Sequence, residues 1–288
     1  MGKNEGGLKA RGAMKKDIHS FLPLVSVITP CLNSERYLES AIKSVMDQTY
    51  KNIEYIIIDG LSTDGTLKII KKHQDNIDYW ISEADQGIYD AMNKGVAKAS
   101  GEWVGILNSD DWYHPKAIEW LVQACKQHPE TDVFYGDLLY VRQDDGYLKE
   151  EDCDVEGKYL TRKGSHENML GNWSLRHPTC FVKRKIYFEH KFNPRFKFSA
   201  DYDFMLSLYL ANKNFTYIEK PITYFRPVGI TKNVSYRSVL EYFLIRKKHN
   251  IWKALKHWVV ETKDYFSQIM FVHKQRIKAK LILTKPKT

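Results

Sequence analysis

Short apolar runs alternate along the first half of the chain with segments whose apolar residues recur every three or four positions. Leu24–Thr29 (LVSVIT) is a short, mainly apolar, β-branched run that stops at Pro30, which reads as a buried strand. Asn33 or Ser34 can cap a helix carrying Tyr37, Leu38, Ala41, Ile42 and Val45 on one face. Ile53–Ile58 is a second buried strand ending at Asp59-Gly60, and Thr63 can cap a helix reaching Lys72. A third strand is expected over Ile77–Ile81, a helix over Ile88–Ala99, a fourth strand over Glu102–Leu107, a helix over His114–Gln127 and a strand over Asp132–Val141. Strands and helices alternating with short links predict an α/β fold with a doubly wound, mostly parallel sheet and helices on both faces.

Beyond Arg142 the regularity weakens. Asp144-Asp145-Gly146 has the form of a hairpin turn, and residues 151–176 are polar and loop-like. Pro178–Lys183 predicts a strand, Ala200–Ala211 a helix, and Phe215–Glu219 and Ile222–Phe225 two short strands separated by Pro221. Ser238–Leu283 is basic, aromatic and helical in spacing. The expected organisation is an extension over residues 1–22, one globular domain over 23–232 and a basic amphipathic helical tail over 233–288. Within the domain, Arg142 separates a regular half over 23–142 from a less regular half over 143–232.

Charge sharpens this division. The net charge of +9 is uneven, because Arg237 to the C-terminus holds 13 Lys+Arg against 3 Asp+Glu, leaving the remainder close to neutral. Such a tail either packs as helices on the domain or meets an anionic membrane surface. No run of about 18 apolar residues occurs, so no spanning helix is expected. The N-terminal residues are polar and lack the apolar stretch of a secretory signal, with Met14 as a second candidate start. Cys31, Cys125, Cys153 and Cys180 lie far apart without a CxxC pair, which suits reduced thiols rather than zinc. The expected location is cytoplasmic, peripheral on the inner face of the cell membrane.

The polar residues that follow the strands carry the chemistry. Asn33, Asp59, Asp85 and the pair Asp110/Asp111 each stand just past the C-terminal end of a strand, the edge where open α/β sheets bind ligands. Singly, each serves as well for a cap or turn. The strand-ending Asn108-Ser109-Asp110-Asp111 suits a hard divalent cation, Mg²⁺ or Mn²⁺, completed by water and phosphate oxygens. GxGxxG after the first strand and GxxxxGK[ST] are both absent, which removes the dinucleotide-fold and P-loop readings. No zinc finger, RNP motif or helix-turn-helix signature accompanies the basic tail, so nucleic acid is not an expected partner.

VSVITPCLNSERYLESAIKSVMDQTYKNIEYIIIDGLSTDGT resembles the opening of family 2 glycosyltransferases, and SEADQGIYDAMNKGVAKASGEWVGILNSDDWYHP continues the likeness. HPTCFVKRKIY and FSADYDFMLSLYLA resemble that family's acceptor-side segment. The resemblance spans about residues 24–230 and implies a GT-A-like, Rossmann-related fold, with a nucleotide-binding half over about 23–142 and an acceptor half over about 143–232. It also implies inverting transfer of a sugar from a UDP-, GDP- or dTDP-sugar to a glycan or lipid-linked hydroxyl, as in cell-surface polysaccharide biosynthesis. By that likeness Thr29, Pro30 and Asn33 border the nucleotide and Asp59 meets the base. Asp85 borders the donor, with Asn93 and Lys94 nearby. Asp110 holds the metal, Asp111 supports the ribose–diphosphate region, and Asp201 is the catalytic base. His177 stands as a contact for acceptor or diphosphate, against the plainer reading of a structural histidine before proline. Lys94 has the same plainer reading as a solvated helix lysine. The sequence departs from the family pattern at Asn108, where the first carboxylate of DxD is usual, and at Ala200, where a glutamate usually precedes the aspartate. The QxxRW segment of processive synthases is absent. The two departures leave a non-catalytic nucleotide-sugar-binding or scaffold protein as the alternative.

Overall fold

The computed structural model describes residues 4–12, 22–141, 159–162, 169, 175–226 and 236–249. In chain order the strands are β1 (Asn4–Gly6), β2 (Val25–Cys31), β3 (Ile53–Asp59), β4 (Tyr79–Ser82), β5 (Trp103–Ile106), β6 (Trp112–Tyr113), β7 (Val133–Val141), β8 (Tyr159–Arg162), β9 (Phe181–Lys183) and β10 (Phe215–Phe225). The helices are α1 (Leu38–Met46), α2 (Thr66–Lys72), α3 (Ile88–Lys98), α4 (Ala117–Gln127), α5 (Ile186–Glu189), α6 (Ala200–Leu210) and α7 (Tyr236–Lys248). The chain divides at Gly229/Ile230 into two units, the second containing α7. The expected hairpin turn at Asp144–Gly146, Cys153 and the tail beyond residue 249 lie outside the described residues.

Among the described residues the strands form one ten-stranded sheet in the order β1-β4-β3-β2-β5-β9-β7-β10-β6, with β8 on β7. β4, β3, β2 and β5 are parallel neighbours, β9 is antiparallel to both β5 and β7, and β7 and β10 are parallel. The sheet is mixed but mostly parallel. Every residue of β2 and β3 is buried, as strands covered on both faces require. Alternate side chains explain how. Val25, Val27, Tyr55 and Ile57 join the core under α1 and α4. Ile28 points the other way and meets α3, so closely that a Cβ on Gly95 would lie 2.3 Å from Ile28 Cγ2. α6 differs from the other helices in being buried nearly all round, through Ala200, Tyr202, Asp203, Phe204, Met205, Leu206 and Leu208.

Several boundaries differ from the sequence expectation for identifiable reasons. The third parallel strand starts at Tyr79, because Asp78 uses its carboxylate to accept from the Tyr55 N–H at 2.8 Å. α2 starts at Thr66 instead of following a Thr63 cap. Asp64 Oδ1 accepts from the Thr66 N–H, while the Thr63 N–H goes to Asn33 Oδ1. Pro221 does not split two strands. β10 runs unbroken from Phe215 to Phe225, with register shifts against β7 on both sides of Pro221, where a missing N–H is tolerated. β6 is a short strand that the pattern did not indicate.

The N-terminal residues also adopt structure that their polar composition did not indicate. β1 pairs antiparallel with β4 and covers that edge of the sheet. Leu8 is buried, its N–H donating to Ile77 O. Lys9 reaches Glu54, a carboxylate only 2% exposed that also accepts from the Ser26 and Ser100 hydroxyls and the Ser100 N–H. Burial alone would push the Glu54 carboxyl up, but Lys9, Ser100 and Ser26 together hold it below its ordinary value of 4.5. A depressed carboxyl pKa adds stability that is present above the ordinary value and lost as pH falls through the folded one. Lys9→Ala is therefore expected to destabilise the protein by roughly 1–3 kcal/mol at pH 7. In urea denaturation the gap from wild type should narrow as pH falls past the ordinary carboxyl value and through the depressed pKa of the wild-type Glu54, until the residue is protonated in both.

Candidate active site

The parallel strands β2 to β5 end along one edge, and the loops that leave them are stitched to each other. Asp59, the last residue of β3, is fully buried. Its Oδ2 accepts from Ser82 Oγ at 2.6 Å and the Ser62 N–H at 3.2 Å, and its Oδ1 accepts from Ser62 Oγ and, at 3.7 Å, from the Cys31 thiol. One carboxylate thus joins the ends of β2, β3 and β4. Next to it the loop 31–36 is bound to the loop 59–66. Asn33 Oδ1 accepts from the Thr63 N–H at 2.9 Å, the Asn33 N–H donates to Ser62 Oγ at 2.8 Å, and the Ser34 N–H donates to Thr66 Oγ1 at 2.7 Å. Asn33 (φ 49°) and Leu61 (φ 62°) adopt left-handed backbone here, a conformation that only a well-determined loop sustains. Ser34 Oγ lies 2.8 Å from Ser109 Oγ, which ties the same assembly to the turn after β5.

That turn holds the two adjacent carboxylates. Asp111 is fully buried, with Oδ2 accepting from Asn108 Nδ2 at 3.1 Å and Oδ1 from the Arg226 N–H at 3.1 Å. Arg226 follows β10 and lies between the rings of Trp112, 4.2 Å from its guanidinium carbon, and Tyr37 at 4.9 Å. Its Nη1 donates to Asp110 O at 2.8 Å and Ser40 Oγ at 3.2 Å. Burial pushes both carboxyls up, and for Asp111 the charge of Asp110 adds to it. Arg226 lowers both, but one guanidinium faces two carboxylates. Asn108 Oδ1 is buried without a hydrogen-bond partner. An orphaned amide oxygen beside an undercompensated carboxylate fits a hard cation. Among the described residues no group of three or more His, Cys, Asp or Glu could hold a metal by itself. A cation at this turn would therefore draw on Asp110, Asn108 Oδ1, water and ligand oxygens.

The segment between β4 and α3 completes the edge. Asp85 Oδ1 accepts from the Gly87 N–H at 2.8 Å, and its Oδ2 approaches Gly60 so closely that a Cβ there would lie 2.5 Å away. Tyr89, in the first turn of α3, donates its hydroxyl to Asp201 Oδ1 at 2.9 Å. Asp201 occupies the first turn of α6, and its neighbour's N–H, that of Tyr202, reaches the same oxygen at 3.0 Å. Asp203 is buried in α6.

Other residues that the sequence pointed to make contacts within the protein. Thr29 is buried with its hydroxyl 3.1 Å from that of Tyr55, and Pro30 is buried in β2. Asp59 supports the loops from beneath, its oxygens occupied within the protein. Asn93 clamps the backbone of Phe192, donating to its O at 2.8 Å and accepting from its N–H at 3.1 Å. Lys94 donates to Ala84 O at 2.7 Å and pairs with Glu83 and Asp90. His177 is buried, set edge-on against Phe192, and burial lowers it to about 4, so it is neutral and carries no charge toward a diphosphate. Arg226 and Tyr89 were not singled out by sequence. The signal for Arg226 was an arginine directly after the Ile222–Phe225 strand, at an edge otherwise rich in acids. A cavity lined by Val45, Tyr50, Ile53, Asn76 and Asp78 lies at the opposite edge of the sheet.

Replacing Arg226 by methionine leaves the backbone N–H on Asp111 but removes the positive charge facing Asp110 and Asp111, together with the Nη1 bonds to Asp110 O and Ser40 Oγ. It should lower stability by roughly 2–4 kcal/mol in urea unfolding. An unchanged midpoint would show that the turn stands without the guanidinium.

Comparison with known proteins gives consistent results. A family model described as "Glycosyl transferase family 2" matches residues 26–191. A PGL/p-HBAD biosynthesis glycosyltransferase of Mycobacterium bovis is 28% identical over 187 residues, covering 63% of this chain and 68% of that protein. The crystal structure of S. aureus TarS 1-349 in complex with UDP-GlcNAc superposes with a TM-score of 0.60 at 21% identity, covering 77% of this chain and 64% of that one, just under two thirds of its length. Mannosyltransferase PcManGT from Pyrobaculum calidifontis, in complex with GDP-Man and Mn²⁺, superposes with a TM-score of 0.54 at 18% identity, covering 80% of this chain and 65% of that one.

Proposed function

The chain belongs to glycosyl transferase family 2, and from that premise we propose that it transfers a sugar, with inversion, from a nucleotide-sugar to a hydroxyl of a glycan or lipid-linked acceptor. Its GT-A fold and glycosyltransferase class follow from the family match and the structural likeness. The observation that carries the finer reading is the Tyr89–Asp201 hydrogen bond, which joins α6 to the loop edge of β2 to β5. One carboxylate at this edge can then serve a nucleophile while the Asp110 turn serves a leaving group.

In the proposed reaction the acceptor hydroxyl oxygen forms a bond to the anomeric carbon as that carbon's bond to the diphosphate breaks. The hydroxyl proton passes to Asp201, and the electron pair of the broken bond leaves on the nucleoside diphosphate. Displacement from the face opposite the leaving group inverts the anomeric centre. A carboxylate placed to take that proton is worth about 10²–10⁴-fold. A Mg²⁺ or Mn²⁺ ion held by Asp110 and Asn108 Oδ1 would neutralise charge on the departing diphosphate. Asp111 and Arg226 would keep that turn in shape, and Asn33 and Asp85 would border the nucleotide and donor. Asp59, Thr29, Asn93 and Lys94 would act through the loops they hold.

UDP-, GDP- and dTDP-sugars are the candidate donors. TarS was crystallised with UDP-GlcNAc and PcManGT with GDP-Man and Mn²⁺, two donor chemistries on this fold. For the acceptor, a lipid-linked glycan in cell-surface polysaccharide assembly suits the basic tail. The described part of that tail, α7, exposes Tyr236, Leu240 and Leu244 on one side and ends in Lys247 and Lys248, whereas Arg246 is buried and donates to the Tyr242 hydroxyl. Apolar residues beside cations suit an anionic membrane surface on the cytoplasmic side. Among the described residues no helix is long and apolar enough to cross a membrane.

Thermal shift with UDP-GlcNAc, GDP-Man and a dTDP-sugar, each with Mg²⁺ or Mn²⁺, should show stabilisation by one donor class, because a ligand that binds the folded state raises the melting temperature. Asp110→Ala should abolish the cation-dependent part of that shift. Asp201→Asn should keep the shift and lose about 100-fold or more in release of nucleoside diphosphate. Wild-type turnover in Asp201→Asn would remove it as the base. Donor binding by the wild type without any turnover would favour a non-catalytic binding protein.

A further inference from the structure

We propose that Tyr89 is the residue that positions Asp201, so that the segment bordering the donor also sets the orientation of the base; this rests on the reading of Asp201 given above. Three observations carry it. The Tyr89 hydroxyl and the Tyr202 N–H converge on Asp201 Oδ1, at 2.9 and 3.0 Å, which fixes the carboxylate by two donors on one oxygen. Tyr89 is itself immobilised. Its side chain is buried, and its ring stacks on Phe192 with centroids 6.0 Å apart and planes 28° apart. Phe192 in turn is held at both backbone polar groups by Asn93, one turn further along α3. The third observation is covalent continuity. Tyr89 lies four residues after Asp85, on the same short stretch that packs against Gly60 and the loops of β2 and β3. A second tie runs in the same direction, from Lys197 Nζ to Gln86 O.

Other groups also face this carboxylate. The turn at residues 177–180 contributes the Cys180 thiol, which burial pushes up, and the His177 imidazole, which burial lowers to about 4, so both are neutral at pH 7. Lys197 precedes α6, and Asp203 lies buried within it. Hydrogen bonds donated to a carboxylate favour its charged form, and a rigid donor also selects its rotamer. A loose aspartate at the start of a helix would sample several rotamers and present its oxygen to the acceptor only part of the time.

The test uses the full chain, and its first arm needs no substrate. The Asp201 side-chain carboxyl is followed through a pH titration by ¹³C NMR, its signal identified by its loss in Asp201→Asn. In Tyr89→Phe, which keeps the ring on Phe192 and should keep the melting temperature, the titration midpoint should move to higher pH. With whichever nucleotide-sugar the wild type turns over, Tyr89→Phe should lower kcat by about tenfold, the size of one charge-assisted hydrogen bond, and leave the donor KM unchanged. A midpoint identical to wild type would overturn the proposal. A lower kcat with no movement of the midpoint would also overturn it, marking Tyr89 as structural only. The two readings separate cleanly: normal turnover in Asp201→Asn defeats the base assignment, whereas an inactive Asp201→Asn beside an unaltered Tyr89→Phe defeats only the role of Tyr89.

Discussion

The buried carboxylate of Asp59 is the constraint on which the working edge of this protein depends. It stands where β3 ends and accepts from Ser62, Ser82 and Cys31, residues belonging to the loops and strands on either side. A charge in such a place is costly unless nearly every lone pair is used, and here the loops themselves supply the donors. Folding the loops and satisfying Asp59 are therefore one event. With those loops fixed, Asn33 can take left-handed backbone, Ser34 can reach Ser109, and Asp85 can close against Gly60, where any side chain larger than hydrogen would collide.

A second electrostatic problem lies beside the first and is left only partly solved. Asp110 and Asp111 are adjacent and withdrawn from water, and the cation that serves them is Arg226, carried in by the distant strand β10. Asn108 at the first position of the motif moderates the repulsion, since its amide donates to Asp111 where another carboxylate would add a third charge. The remaining deficit of positive charge, with the unpaired Asn108 oxygen, is what a divalent ion and a diphosphate together would complete. Contrast Glu54 on the α3 side of the sheet, where Lys9 and three donor groups satisfy the carboxylate fully and no ligand is called for.

Local pattern carried much of this far. β2 and β3 were legible because strands covered on both faces are mostly apolar and β-branched, with few polar residues to interrupt the run, and α1, α3 and α4 because their apolar residues keep helical phase. The acidic edge followed from asking which residues come directly after each strand. What stayed hidden depends on partners far apart in sequence. Nothing near Lys9 announces Glu54, 45 positions away, and a polar N-terminus gives no hint of an edge strand. Pro221 reads as a break until β7 offers a bulge to absorb it. Thr63 and Asp64 compete as caps, and Asp64 is the one that accepts from the Thr66 N–H, while the Thr63 N–H and hydroxyl both donate to Asn33 Oδ1. His177, Asn93 and Lys94 drew notice as polar residues in recognisable motifs, yet their side chains answer to Phe192, Ala84 and their neighbours. Arg226 and Tyr89 contribute most to the site's geometry and least to its motifs.

The central claim is that the Asp110 turn and Asp201 face one cleft, with a cation between protein and phosphates. Paramagnetic broadening by Mn²⁺ tests it directly, with carboxyl ¹³C signals followed as the ion is titrated in the presence of UDP. The account predicts early loss of the Asp110 and Asp111 signals, then graded broadening of Asp85 and Asp201, while Asp78 and Asp47, which follows α1 and lines the same cavity at the opposite edge of the sheet, stay sharp. Broadening that reaches Asp47 and Asp78 first, or that leaves Asp201 untouched while Asp110 disappears, would contradict it.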